Sequence, residues 1–116
     1  MRGRQHHSKE TRRLDLSRSE SLKNVDGLSN SSKLTDLDLS SRYTPSALRD
    51  IDGLASCIEL NSLDLGNCTS LKRLDAIANL PKLTKLYLDG CNSLSVLPVD
   101  TVMTTREEVA AYQQRI

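Results

Sequence analysis

Three kinds of side chain in this sequence could do chemistry: thiols, imidazoles and carboxylates. The three cysteines, Cys57, Cys68 and Cys91, form no C-x-x-C pair, so their spacing does not match common redox or metal-binding motifs. The two histidines, His6 and His7, are adjacent in a basic leader and have no further ligands at a workable spacing. We therefore expect buried structural thiols, and we expect neither a metal site nor a cofactor.

The pattern does not favour catalysis either. Both histidines lie in the leader, so a Ser-His-Asp or Cys-His arrangement would need its base on a flexible segment. The five glycines are scattered along the chain and do not form a phosphate-binding loop. The aspartates recur at regular intervals, which is typical of surface positions rather than of a paired acid and base. We expect that the protein is not an enzyme.

Composition and charge narrow the class of protein. The chain has 116 residues, enough for one domain, and contains twenty leucines but no phenylalanine or tryptophan. Such a composition favours a core made of one repeated aliphatic environment. Residues 1–13 carry five basic side chains and one acidic side chain, whereas residues 14–116 are mildly acidic. The acidic character of residues 14–116 argues against nucleic-acid binding by this part of the chain.

The sequence shows neither a membrane span nor a signal peptide. No apolar run approaches the ~18 residues of a membrane span, and no apolar signal segment follows Met1. We expect a cytoplasmic protein that does not contact membranes and whose cysteines stay reduced, with secretion as an effector left open.

A short string of leucines repeats along the chain, and the structure that it forms must position the cysteines and the aspartates. The string L-x-x-L-x-L starts at Leu34, Leu60 and Leu83, and a degenerate copy starts at Thr11, so the intervals are 23, 26 and 23 residues. The longer interval comes from three extra residues within 40–47. The register predicts about four repeats, over residues 11–33, 34–59, 60–82 and 83–98.

Each repeat carries the signals of a strand and a turn. The end of the string alternates apolar and polar residues, which predicts a short strand with its last two leucines on one face. Later leucines recur at a spacing of three, which favours a 3₁₀ or irregular segment, and Asp-Gly pairs at 26–27 and 52–53 supply turn chemistry. One unit cannot bury its own leucines, so successive units are expected to stack into a parallel sheet with a continuous aliphatic core.

The unit L-x-x-L-x-L-x-x-C-x-x-L-x-x-L, clearest over residues 60–80 with Cys68 and again from Leu83 with Cys91, resembles the leucine-rich repeat family. The resemblance covers about residues 11–98. The sequence of these repeats is similar to that of repeats in disease-resistance-like proteins and in trypanosomatid repeat proteins. It implies an α/β solenoid with a parallel sheet on its concave face, 3₁₀ or irregular convex segments, and non-catalytic protein–protein interaction. It also implies that Cys68 and Cys91 bond loop backbone just after the strand.

The C-terminal segment 99–116 is predicted to cap the solenoid with a helix. Thr104 with Glu107, and Thr105 with Glu108, form two overlapping capping boxes for a helix over about residues 106–115. Its apolar stripe is expected to pack on the last repeat, and recruitment of a partner is the alternative. That stripe consists of Val109, Tyr112 and Ile116.

The N-terminal end shows no comparable cap. Residues 1–10 have no apolar side chain except Met1, so we expect a disordered basic leader that cannot cover Leu14, Leu16 and Leu22. Two explanations follow: the chain is a fragment of a longer repeat protein, or another chain covers this edge.

The strand positions between the leucines form columns on the concave face, and these columns are the main candidate site. Two readings stand side by side: a solvated acidic face that discourages aggregation, and a docking surface for a basic partner segment with an aromatic rim anchor. The candidate residues are Arg13, Asp15, Asp36, Asp38, Ser62, Asp64, Lys85 and Tyr87.

A second candidate site is the inserted loop with Arg42 and Tyr43, although neutral drift explains a three-residue insertion equally well. We predict a module that binds a protein partner through the concave face and binds no nucleic acid. The alternative is a terminal solenoid piece of a larger leucine-rich repeat receptor, regulator or effector, which ends the stack.

Overall fold

The leucine string of each repeat forms a three-residue strand in the computed structural model, which describes residues 11–17, 19, 21–41 and 46–116. The predicted leader, 1–10, and the predicted loop site at Arg42 and Tyr43 lie outside the described residues. The strands are β1 (Arg13–Asp15), β2 (Asp36–Asp38), β3 (Ser62–Asp64) and β4 (Lys85–Tyr87).

These four strands pair in parallel and in chain order. Each residue pairs with its counterpart one repeat later, so Leu14 pairs with Leu37, Leu37 with Leu63, and Leu63 with Leu86. Between strands the chain passes through 3₁₀ turns at Asp26–Leu28, Asp52–Ser56 and Asp75–Ile77. Each strand-and-turn unit is therefore one coil of a solenoid, as the intervals between the strings predict.

The core is a single cluster that follows the stacked coils. The first leucine of each full string, at Leu34, Leu60 and Leu83, is completely buried. Leu14 and Leu22, in the first coil, are only partly buried although they pack against the same cluster. Burying one such side chain contributes about 1.5–3 kcal/mol, so the aliphatic column is the main source of stability.

All three cysteines are buried, and each thiol donates to a carbonyl oxygen in the preceding repeat. The Sγ atoms of Cys57, Cys68 and Cys91 lie 3.6, 3.4 and 2.8 Å from the carbonyl oxygens of Leu28, Leu39 and Leu65, respectively. Burial raises the pKa of Cys57, and the hydrogen bond to the Cys91 thiol together with burial raises the pKa of Cys68. The Cys57 and Cys68 thiols thus tie neighbouring coils together as neutral donors, whereas the hydrogen bond with Cys68 lowers the pKa of Cys91.

Beyond the last repeat the chain forms a strand and then a helix. Strand β5 (Val102–Met103) pairs antiparallel with β4, and helix α1 spans Arg106–Gln113. Of the two predicted capping boxes the helix uses the second, in which the Thr105 hydroxyl accepts from the Glu108 N–H and the Glu108 carboxylate accepts from the Thr105 N–H. The sequence pattern does not predict β5.

Helix α1 is fixed to the solenoid by apolar and polar contacts. Val109 and Tyr112 are buried, and Ile116 packs against the core, so the apolar stripe of the helix faces the solenoid. Gln113 is also buried, and its Nε2 donates to the carbonyl oxygens of Ile77 at 2.7 Å and Leu80 at 2.9 Å.

Glycine 53 shows how tightly the coils stack. A Cβ atom at Gly53 would overlap the carbonyl oxygen of Val25, one coil earlier. At the equivalent Gly27, in the first coil, a Cβ atom would meet nothing within 4 Å among the described residues. The two glycines therefore differ in whether another coil lies against them.

Tyr112 should make the free energy of unfolding depend on pH in the alkaline range. Its hydroxyl donates to the carbonyl oxygen of Val96, and burial raises its pKa to about 12, whereas an unfolded tyrosine ionises near pH ~10. Between these values the unfolded chain has lost the proton that the folded chain keeps, so the free energy of unfolding should fall as pH rises from about 10 to about 12. We expect Tyr112→Phe to reduce this fall in urea titrations.

Tyr87→Phe, on the exposed face of the sheet, is the matched control and should leave the fall in place. An identical alkaline fall in wild type and Tyr112→Phe would show that Tyr112 does not cause it.

Candidate functional site

The side chains between the leucines share one exposed face of the sheet, which we call the sheet face. In β2 the leucine is buried while the flanking Asp36 and Asp38 are half-buried, and β3 follows the same pattern. The parallel register aligns these positions at a spacing of about 4.8 Å per strand. The eight candidate residues thus fall in two columns: Arg13, Asp36, Ser62, Lys85, and Asp15, Asp38, Asp64, Tyr87.

An open depression of about 380 Å³ lies on the sheet face. Seven of the eight candidate residues line it, and Lys85 is the one that does not. The structure therefore brings seven of the predicted residues together around one depression.

The second column of carboxylates also has a structural role. Asp15, Asp38 and Asp64 each accept a hydrogen bond of 2.9 Å from the backbone N–H two residues later. The hydroxyls of Ser17 and Ser40 donate to the same carboxylate oxygens of Asp15 and Asp38. These local turns end β1, β2 and β3, and the recurring D-L-S or D-L-G pattern is the sequence signal that would have predicted them.

The first column is held differently. Asp36 accepts from the hydroxyl of Thr35 at 2.7 Å. Within the described part of the chain, the ion pairs are Arg73–Asp75 at 3.9 Å and Lys82–Glu59 at 2.9 Å, and neither involves a sheet-face residue. The carboxylates of Asp36 and Asp38 are therefore not neutralised by a described cation.

Strand β5 extends the sheet face with an apolar residue that the sequence analysis missed. Val102 pairs with Tyr87, so it occupies the next position of the second column, and 47% of it is exposed. The second column thus changes from aspartates on β1–β3 to Tyr87 on β4 and Val102 on β5. A two-residue strand carries no periodic signal, so no pattern in the sequence could have placed Val102 here.

The described residues contain no group of three or more His, Cys, Asp and Glu side chains that could hold a metal ion. None of the helices in this part of the chain has both the length and the apolar character needed to cross a membrane.

Comparison with known proteins gives distant similarities. No model of a protein family matches the chain, and no curated protein matches it. An internalin (inlF) from Listeria monocytogenes is similar in structure, with 27% identity and a TM-score of 0.45, and the match covers 66% of this chain and 27% of that one. Internalin C2 from the same bacterium matches with 18% identity and a TM-score of 0.26, over 66% of this chain and 56% of that one. The chain therefore spans less than two thirds of either internalin.

Two substitutions at Asp38 separate the contribution of the strand-end turn to stability from the contribution of the negative charge. Asp38→Ala removes the acceptor for the Ser40 N–H and should lower the free energy of unfolding by about 0.5–1.5 kcal/mol. Asp38→Asn keeps an oxygen at the acceptor position and removes the charge, so it should stay close to wild type. Urea unfolding of the two variants measures the difference, and equal losses would contradict a role for the turn.

Proposed function

We propose that this chain is a non-catalytic module that binds a protein partner through the sheet face. The observation that carries the proposal is the alignment of seven candidate residues around one open depression on a face that the described chain leaves uncovered. Because the face is built from hydrogen-bonded strands, its side chains are held at fixed spacing before a partner arrives. Such preorganisation lowers the entropic cost of binding.

The chemistry of the face supports a partner with a basic segment. Asp36, Asp38 and Asp64 lie on neighbouring strands, so a row of lysines or arginines could pair with them. Exposed ion pairs are worth about 0.2–1 kcal/mol each, so they would steer and orient the partner more than hold it. The apolar end at Tyr87 and Val102 would then supply the buried anchor.

The test removes charge from the face without disturbing the turns. The double variant Asp38→Asn/Asp64→Asn should weaken binding of a captured partner by about 2- to 30-fold, the sum of two exposed ion pairs, and should reduce its salt dependence. The matched control is Asp26→Asn/Asp52→Asn, which removes the same charge from exposed positions at the 3₁₀ turns. Partners are captured from lysate by the wild type, and affinity is then measured at several salt concentrations.

Three results would overturn the proposal. Binding could be unchanged in the sheet-face variant, it could fall equally in the control, or its salt dependence could be identical in all three proteins. Any of these would leave the solvated acidic face as the better reading.

A second candidate function is to end a longer stack, with a neighbouring repeat or chain against β1. It is favoured by the partial burial of Leu14, Leu16 and Leu22 and by Gly27, where a Cβ atom would meet no described residue within 4 Å. Their counterparts in later coils are covered by the preceding coil.

The glycine pair tests this candidate. In the isolated chain Gly27→Ala should stabilise by up to about 1 kcal/mol, whereas Gly53→Ala should destabilise by about 1–3 kcal/mol through its overlap with Val25. If copies associate through this edge, light scattering should detect the association and Gly27→Ala should weaken it. A wild-type chain that stays monomeric and melts cooperatively would count against a missing neighbour.

A further inference from the structure

A cleft lies at the C-terminal end of the solenoid, and we call it the end cleft. It encloses about 210 Å³ between the segment that precedes β5 and helix α1. This volume is below the ~300–1,000 Å³ of small-molecule sites, so it suits one side chain of a peptide better than a cofactor. Its lining residues are Pro98, Val99, Asp100, Met103, Glu108, Ala111, Tyr112 and Arg115.

Apolar side chains are exposed around this cleft. Val99, which lines it, is 91% exposed, and Leu97, two residues earlier, is 57% exposed. Within the described ranges, these are two of the four large apolar residues that are exposed, and a third, Val102, belongs to the sheet face. Clustered apolar exposure on an otherwise polar surface is typical of an interaction site.

The charges at the cleft favour a cationic group next to the bound side chain. Asp100 is exposed, and no described residue gives it a hydrogen bond or an ion pair. The Glu108 carboxylate accepts from the backbone N–H groups of Thr104 and Thr105, and these bonds lower its pKa, so it stays anionic.

The one cation of the lining is already engaged. Arg115 donates to the carbonyl oxygen of Leu97 at 3.1 Å, and its guanidinium carbon lies 5.9 Å from the centroid of the Tyr112 ring. Arg115 is therefore part of the cleft wall, and the two carboxylates outnumber it.

We propose that the end cleft binds a peptide segment of a partner protein in which an aliphatic side chain is adjacent to a lysine or arginine. The aliphatic side chain packs against Met103 and Ala111, and the cation pairs with Asp100. The end cleft and the sheet face share no lining residue, so this inference does not depend on the function proposed above.

The test is an NMR titration of the isotope-labelled full chain with three blocked dipeptides. N-acetyl-leucyl-lysine amide should shift the signals of Val99, Met103 and Ala111. N-acetyl-leucyl-glutamate amide should bind about threefold more weakly, as expected for loss of one exposed ion pair. N-acetyl-seryl-lysine amide, which lacks the aliphatic group, should produce no shifts in the cleft.

Two variants sharpen the test. Asp100→Asn should remove the preference for lysine over glutamate while leaving the leucine-dependent shifts in place. Ala111→Gln should block the cleft at an exposed helix position, where glutamine is a good helix former, and should abolish the shifts without lowering the melting temperature.

The proposal is overturned if no dipeptide shifts the cleft signals, if lysine and glutamate dipeptides bind equally, or if the shifts fall on the sheet face. It is also overturned if light scattering shows a dimer that Ala111→Gln dissociates, because the occupant is then a second copy of this chain.

Discussion

The structure depends on one constraint: every strand residue lies beside its counterpart one repeat earlier, at the spacing of parallel strands. A leucine in β2 must therefore fit against leucines in β1 and β3 at about 4.8 Å per coil. An aromatic ring in such a position would push the next coil away, which accounts for a chain with twenty leucines and no phenylalanine or tryptophan. Gly53 obeys the same constraint, since any larger residue would meet the backbone of the coil before it.

The same register also explains why carboxylates accumulate on the sheet face. Stacking Asp38 beside Asp64 brings like charges together, at a cost of a few tenths of a kcal/mol at a solvated surface. Each carboxylate gains a backbone N–H donor from its own strand-end turn, and a charge-assisted bond of this kind offsets that repulsion. The acidic column is thus tolerated for local reasons, and a basic partner would add to an arrangement that is already stable.

Much of this fold could be predicted because the repeat makes one local pattern count four times. The strands and the 3₁₀ turns at the Asp-Gly pairs follow from the repeated pattern within each unit. The capping box at Thr105 could be predicted because it depends on residues three apart in sequence. Strand β5 and the role of Gln113 could not, since a two-residue strand exists through its pairing with β4, and a helical glutamine looks like any surface residue. For the candidate site, the two columns could be predicted from the register of the repeats. The position of Val102 could not, because it depends on the pairing of β5 with β4.

Covering the last coil requires residues unlike those of the repeat, and that difference gives this end its own chemistry. The antiparallel direction of β5 breaks the parallel register, so no leucine column continues past β4. The core at this end is covered by Met103, Val109 and Tyr112, whose side chains differ in shape from leucine. No described coil packs on the far side of these side chains, and a cleft lies between the segment before β5 and α1. The repeat thus produces a regular acidic face along the sheet, and the interruption of the repeat produces a separate apolar cleft beside it.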